Sequence, residues 1–144
     1  RERLEQFGVE AHRIVFQVAE STAERGLRDM FGFLGGIKLL GCGFCLDRFG
    51  RGADSLGLLK NLGADYVKLD MYFVNGLAKD PDKQAQLQEL VQNLEALGAA
   101  TIIGGVEDVK TMPILWSLGV DLIQGFFLQH PYREMSYDFS GAAF

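Results

Sequence analysis

The chain has 144 residues, 48% of them apolar, enough for the core of one globular domain or of part of one. With 14 basic against 19 acidic residues and a net charge of −5, it lacks the footprint of a general nucleic-acid binder, which does not exclude one anion held in a local pocket. No apolar run approaches the ~20 residues of a membrane span, and the charged opening Arg1-Glu2-Arg3-Leu4-Glu5-Gln6 is no signal peptide, so no membrane insertion is expected.

Residues 1–8 read as the end of a helix, stopped at Gly8. Arg13 to Ala19 carries Ile14, Val15, Phe16 and Val18, the content of a buried strand, and ends in Gln17, Glu20 and Ser21. From Thr22 to Leu40, Leu27, Met30, Phe31 and Leu34 fall at helical spacing, and Gly32, Gly35 and Gly36 predict an early end or a bend. Cys42 to Asp47 is the second strand. It ends abruptly in the charged pair Asp47-Arg48 and the glycines Gly50 and Gly52. Ala53 to Leu62 is a helix closed by Gly63, and Asp65 to Leu69 is a strand that delivers Lys68 and Asp70.

A longer loop, Met71 to Asp80, leads into a helix with Pro81 at its first position. Leu87, Leu90, Val91, Leu94 and Leu97 give this helix the clearest apolar stripe in the chain, and Gly98 ends it. Ala100 to Ile103 is the fourth strand, followed by Gly104-Gly105-Val106-Glu107. Asp108 to Leu118 is a helix that tolerates Pro113 near its start, and Asp121 to Ile123 is the fifth strand, followed by Gln124-Gly125. The tail from Phe126 to Phe144 is aromatic and irregular.

Strands alternating with helices at these spacings predict an α/β fold with a parallel sheet. Five strands could form a small open sheet, or the second half of a (β/α)₈ TIM-like barrel, which typically needs ~250 residues. Cys42 and Cys45 form a C-x-x-C inside a predicted strand, with no second pair to complete a zinc site, and read as buried, inert thiols, from which a cytoplasmic location is expected.

Each predicted strand ends in a polar group: Gln17, Asp47 with Arg48, Lys68, Glu107 and Gln124. In a parallel α/β fold these ends share one face, where carboxylates, amides and a lysine converging on a cavity suit a polar, anionic ligand. Structural roles also fit these residues: a plain Lys68–Asp70 ion pair, a Glu107 favouring the next helix N-terminus, a Gln124 that caps backbone groups. No Ser–His–Asp order and no phosphate-binding glycine fingerprint is visible; the histidines are His12 and His130.

The five blocks resemble the C-terminal half of an EAL domain, the cyclic-di-GMP phosphodiesterase fold. The family pattern runs E-x-T-E, D-D-F-G-T-G-x-S-S-L, K-x-D-x-x-F-V, A-E-G-V-E and Q-G. The corresponding stretches here are Gln17-Val18-Ala19-Glu20, Asp47 to Leu56, Lys68 to Val74, Ile103 to Glu107, and Gln124-Gly125. The resemblance implies that residues 1–144 are the C-terminal portion of one such domain. The first half of the barrel, with the signature Glu-Ala-Leu and an Asn ligand, would be absent.

Three departures bear on activity. Gln17, Arg48 and Gly104 stand where the family keeps carboxylates. Mg²⁺ and Mn²⁺ want carboxylate oxygens. A cation in place of an Asp, ~5 Å from a dication at an effective dielectric of ~20, costs several kcal/mol before screening. The resemblance therefore implies a degenerate, non-catalytic site that needs no metal. It would hold cyclic-di-GMP through Gln17, Asp47, Arg48, Lys68, Gly105, Glu107, Gln124 and Gly125, with Glu20 anchoring the loop after the second strand.

Asp-Arg-Phe-Gly and the ending Ser136-Tyr137-Asp138-Phe139-Ser140 resemble the FimX-like receptors of type IV pilus regulators. That group implies an upstream GGDEF-like domain, a PilZ-domain partner, and control of twitching motility or biofilm. A weakly active phosphodiesterase and a nucleotide-free interaction module are the competing readings. A half barrel would also leave strand edges and apolar faces open, so it is expected to need residues upstream of Arg1 or a second copy.

Overall fold

The computed structural model describes residues 2–126 and 133–134. His130, the Ser136–Ser140 ending and most of the tail after Phe126 lie outside the described residues. Five strands, β1 (Val15–Ala19), β2 (Gly43–Phe49), β3 (Tyr66–Leu69), β4 (Ala100–Ile103) and β5 (Leu122–Ile123), form one sheet in the order β1-β2-β3-β4-β5. Every neighbouring pair is parallel. Between them run α2 (Glu20–Arg25), α3 (Leu27–Leu40), α4 (Ser55–Leu62), α5 (Pro81–Ala96) and α6 (Thr111–Ser117); α1 (Glu2–Phe7) precedes the sheet.

The strand order decides between the two architectures. Each crossover steps one position in the same direction, and right-handed crossovers then put every connecting helix on one face. A doubly wound sheet would reverse direction and cover both faces. The register sorts the side chains accordingly. Phe44, Leu46, Val67, Leu69, Thr101 and Ile103 alternate onto the helix side and are buried. Val15, Gln17, Cys45, Tyr66, Lys68, Ile102 and Leu122 alternate onto the other side, where Val15 and Leu122 remain 42% and 47% exposed at the two edges. This is the second half of a (β/α)₈-type barrel, with the helix-free face as the wall of its lumen.

The helix after β1 departs from its sequence reading. The break falls at Gly26, between α2 and α3, and α3 runs unbroken through Gly32, Gly35 and Gly36 to Leu40. Met30, Leu34 and Ile37 explain this: they bury one face of α3, and tertiary burial outweighs the ~1 kcal/mol that each interior glycine costs. Phe31, assigned to the stripe, is exposed, as is Leu97 at the end of α5. Cys42 sits one residue before β2 rather than within it, and α6 is shorter than expected, beginning at Thr111.

A short device recurs at two strand starts. Gly63 and Gly119 end their helices at φ +61° and +85°, and an aspartate follows two residues later. Asp65 accepts the N–H of Phe44 at 2.8 Å, and Asp121 accepts that of Thr101 at 2.7 Å. Each aspartate thereby ties the strand it opens to its neighbour.

Candidate functional site at the carboxyl rim of the sheet

The rim is built from the ends of β1 to β5. At β2 the register with β3 slips between Leu46 and Phe49, so β2 carries one extra residue, a bulge. Arg48 occupies it at φ +52°, and its side chain is 76% exposed while that of Asp47 is 20% exposed. The bulge turns Arg48 outward and returns Phe49 to the core, fully buried. Arg48 Nε stands 3.8 Å from Asp47 Oδ2.

Glu20, the first residue of α2, is 2% exposed. Its Oε2 accepts the backbone N–H groups of Gly50, Arg51 and Gly52 at 3.1, 3.2 and 3.2 Å. Three donors on one carboxylate oxygen hold the β2–α4 loop from below, and charged acceptors make the stronger hydrogen bonds. Gly52 lies against the carboxylates of Glu24 and Glu20, which leave no room for a Cβ.

Lys68 and Asp47 lie on adjacent strands, one step beyond the Leu46–Val67 pair. Both act on Cys45, whose thiol is pushed up to about 11, first by burial and further by the charge of Asp47, against the backbone and charge of Lys68. Among the described residues the Lys68 side chain has no hydrogen bond or ion pair; it lies over Gly104, where a Cβ would stand 3.0 Å from Cε and 3.7 Å from Nζ. Asp70 pairs instead with Arg51, at 3.8 Å. The simple Lys68–Asp70 ion pair is therefore not formed.

Beyond β4, Val106 donates its N–H to the Gln124 carbonyl at 3.2 Å, and Gln124 donates its own to Ile103 at 2.7 Å. This pairing carries Gly125 so close to the Val106 backbone that any Cβ would overlap the Val106 carbonyl oxygen. Gly105, at φ +74°, has Met71 against its α-carbon. Glu107 is exposed, four residues ahead of Thr111 and so outside the first turn of α6.

By alternation Gln17, Lys68 and Gln124 share the helix-free face, with Gln17 one level deeper, opposite Cys45. Arg48 and Glu107 project from the rim to solvent. Sequence reasoning missed the Arg51–Asp70–Tyr72 contacts and the bulge, for which no residue type in the loop gives a signal. Among the described residues no group of three or more His, Cys, Asp or Glu side chains could hold a metal ion. Cys42 and Cys45 are free and buried. A cavity of about 380 Å³, lined by Leu4, Val9, Ala11, Leu39 and Leu40 among others, lies at the amino ends of the strands, away from the rim. No described helix is long and apolar enough to cross a membrane.

A family profile described as EAL domain matches residues 1–131. The bifunctional diguanylate cyclase/cyclic di-GMP phosphodiesterase MucR of Pseudomonas aeruginosa is 34% identical over 131 residues, which cover 91% of this chain and 19% of MucR. The FimX EAL domain of Xanthomonas citri, solved in complex with c-diGMP, superposes with a TM-score of 0.91 at 32% identity, covering 96% of this chain and 55% of that one. The FimX EAL domain of Pseudomonas aeruginosa, solved bound to c-di-GMP, gives 0.89 at 29% identity, covering 94% and 56%. The chain thus spans about a fifth of MucR and about half of each solved FimX domain.

Proposed function

The chain belongs to the EAL family, and from that membership we propose that it is the C-terminal portion of a degenerate EAL domain that binds cyclic-di-GMP without hydrolysing it. The observation that carries the reading is the end of the Lys68 side chain lying over Gly104, where the family keeps a carboxylate. The end of the Lys68 side chain fills the space where a side chain at 104 would stand, and Arg48 Nε lies 3.8 Å from Asp47 Oδ2. With Gln17 neutral, Arg48 in place of a carboxylate and no side chain at Gly104, a divalent ion at the rim would find few carboxylate oxygens. These residues do not fit Mg²⁺ or Mn²⁺. They suit a ligand with phosphates for the cations and base edges for Asp47, Glu107, Gln17 and Gln124.

Gly105 and Gly125 contribute through their backbone, since Met71 and the Val106 backbone already fill the space a side chain would take at each. Glu20 holds the loop that carries Arg51 and follows Asp47. The likeness to the two FimX domains supports a receptor role in a cytoplasmic signalling protein acting on type IV pili, motility or biofilm. A GGDEF-like domain upstream and a PilZ-domain partner complete that proposal.

A weak phosphodiesterase is the second reading, favoured by the 34% identity to MucR and by the retained Asp47, Lys68, Glu107 and Gln124. Isothermal titration of the full protein with cyclic-di-GMP, with and without EDTA, separates the two. Binding that survives chelation, with no linear dinucleotide after incubation with Mn²⁺, is expected. Turnover, or binding abolished by EDTA, would establish the second reading; no binding at all would leave an interaction module.

A further inference from the structure

The loop after β2 is held twice, once through its backbone by Glu20 and once through a side chain. The guanidinium carbon of Arg51 lies 4.8 Å from the centroid of the Tyr72 ring, and its Nη1 lies 3.8 Å from Asp70 Oδ1. That same Asp70 oxygen accepts the Tyr72 N–H at 2.9 Å. Tyr72 is itself held by α5. Lys83 of α5 places its ammonium 4.6 Å from the ring centroid and donates to the carbonyls of Tyr72 at 3.1 Å and Asn75 at 2.7 Å. The ring also meets Phe73 edge-on, and Phe73 packs against the α-carbon of Gly50.

We propose that Arg51 is a positioning residue, a latch that fixes the β2–α4 loop onto Tyr72 and Asp70 and so orders the rim segment carrying Asp47 and Arg48 before any ligand arrives. It rests on the ligand-binding reading above for its consequence, and on geometry alone for the latch. A cation over an aromatic face and an ion pair at a partly exposed site each contribute modestly, but they act on one side chain and reinforce each other. Rigidity gained in advance reduces the ordering cost of binding.

Hydrogen exchange of the Gly50, Arg51 and Gly52 amides in the full protein without nucleotide reads the latch directly. Arg51→Gln is expected to speed exchange there roughly three- to tenfold while the melting temperature is kept, and to weaken cyclic-di-GMP binding by a similar factor. Arg51→Lys should restore much of both, because it keeps a cation over the ring, a rescue that a purely structural role would not give. Tyr72→Leu should reproduce Arg51→Gln, and Tyr72→Phe should not, which keeps the test open if either Arg51 variant folds poorly. Unchanged exchange in both Arg51→Gln and Tyr72→Leu would overturn the latch. Faster exchange with unchanged affinity would overturn its role in binding. A wild-type protein that binds no nucleotide would defeat the ligand reading while leaving the exchange result to judge the latch.

Discussion

Lys68 lies against the α-carbon of Gly104, so close that a Cβ there would stand 3.0 Å from its Cε. The two positions compete for one volume. The end of a lysine is flexible, so Gly104→Ala should cost little stability, within about 1 kcal/mol, but should displace the ammonium. If Lys68 meets a ligand phosphate, affinity for cyclic-di-GMP should fall about tenfold in Gly104→Ala, read by titration alongside a thermal melt. Unchanged affinity would mean that Lys68 acts elsewhere.

Glu20 is expected to be the most sensitive polar position of the rim. Its removal strands three backbone N–H groups in a partly buried loop. Glu20→Ala should cost about 3 kcal/mol, since bonds to a charged acceptor run ~1.5–3 kcal/mol each and do not add fully. Glu20→Gln, which keeps an acceptor oxygen, should recover part of it. Denaturant titration measures both.

Asp65 and Asp121 perform the same task at different strands, and their substitutions should behave alike. Asp65→Ala removes the acceptor of the Phe44 N–H, and Asp121→Ala that of Thr101. Each should cost about 1.5–2 kcal/mol. The sites are on different strand pairs without shared partners, so the double variant should be near-additive. Strong coupling between them in a double-mutant cycle would show that the sheet does not respond locally.

The alternation of strands and helices was legible because parallel strands packed on one face by helices read as apolar runs, and because each ends in a polar group such as Lys68 or Gln124. The single direction of winding was not legible, since strand order is set by long-range pairing that no local pattern encodes. The glycines in α3 misled because propensity is local, whereas Met30, Leu34 and Ile37 are held by the core. Asp65 read as a strand opener; that its side chain caps the neighbouring strand depends on the sheet itself. The bulge at Arg48 escaped for the same reason, an arginine giving no hint of a positive φ.

Cys45 should be chemically silent near neutral pH. With its thiol pushed up to about 11 by burial, about one molecule in a thousand carries the thiolate at pH 8, so iodoacetamide should label the folded protein very slowly. The linkage has a definite sign. A raised folded value means that the unfolded state releases its proton first, so the contribution is fully present below pH 9 and is lost as pH rises from about 9 to about 11. A melting temperature measured across that window should fall in wild type, and fall less in Cys45→Ser. Rapid labelling at pH 8 without unfolding would contradict the burial argument.

Arg48 separates backbone strain from ligand chemistry. A non-glycine residue at φ +52° costs ~1 kcal/mol or more, and asparagine tolerates that region better than arginine. Its side chain is largely exposed, so Arg48→Asn removes little packing and should raise stability by about 0.5 kcal/mol. Affinity for cyclic-di-GMP should move the other way, weakening about tenfold if the guanidinium meets a phosphate through charge-assisted bonds. Arg48→Asp shares the backbone advantage and restores one carboxylate, yet Gln17 and Gly104 remain and Lys68 still lies over Gly104. It should therefore bind more weakly than wild type and still release no linear dinucleotide with Mn²⁺. Thermal melts, titrations and product analysis of the two variants decide the matter. Hydrolysis appearing in Arg48→Asp alone would mean that a single charge held the site inactive, and that the remaining rim is closer to an enzyme than its residues indicate.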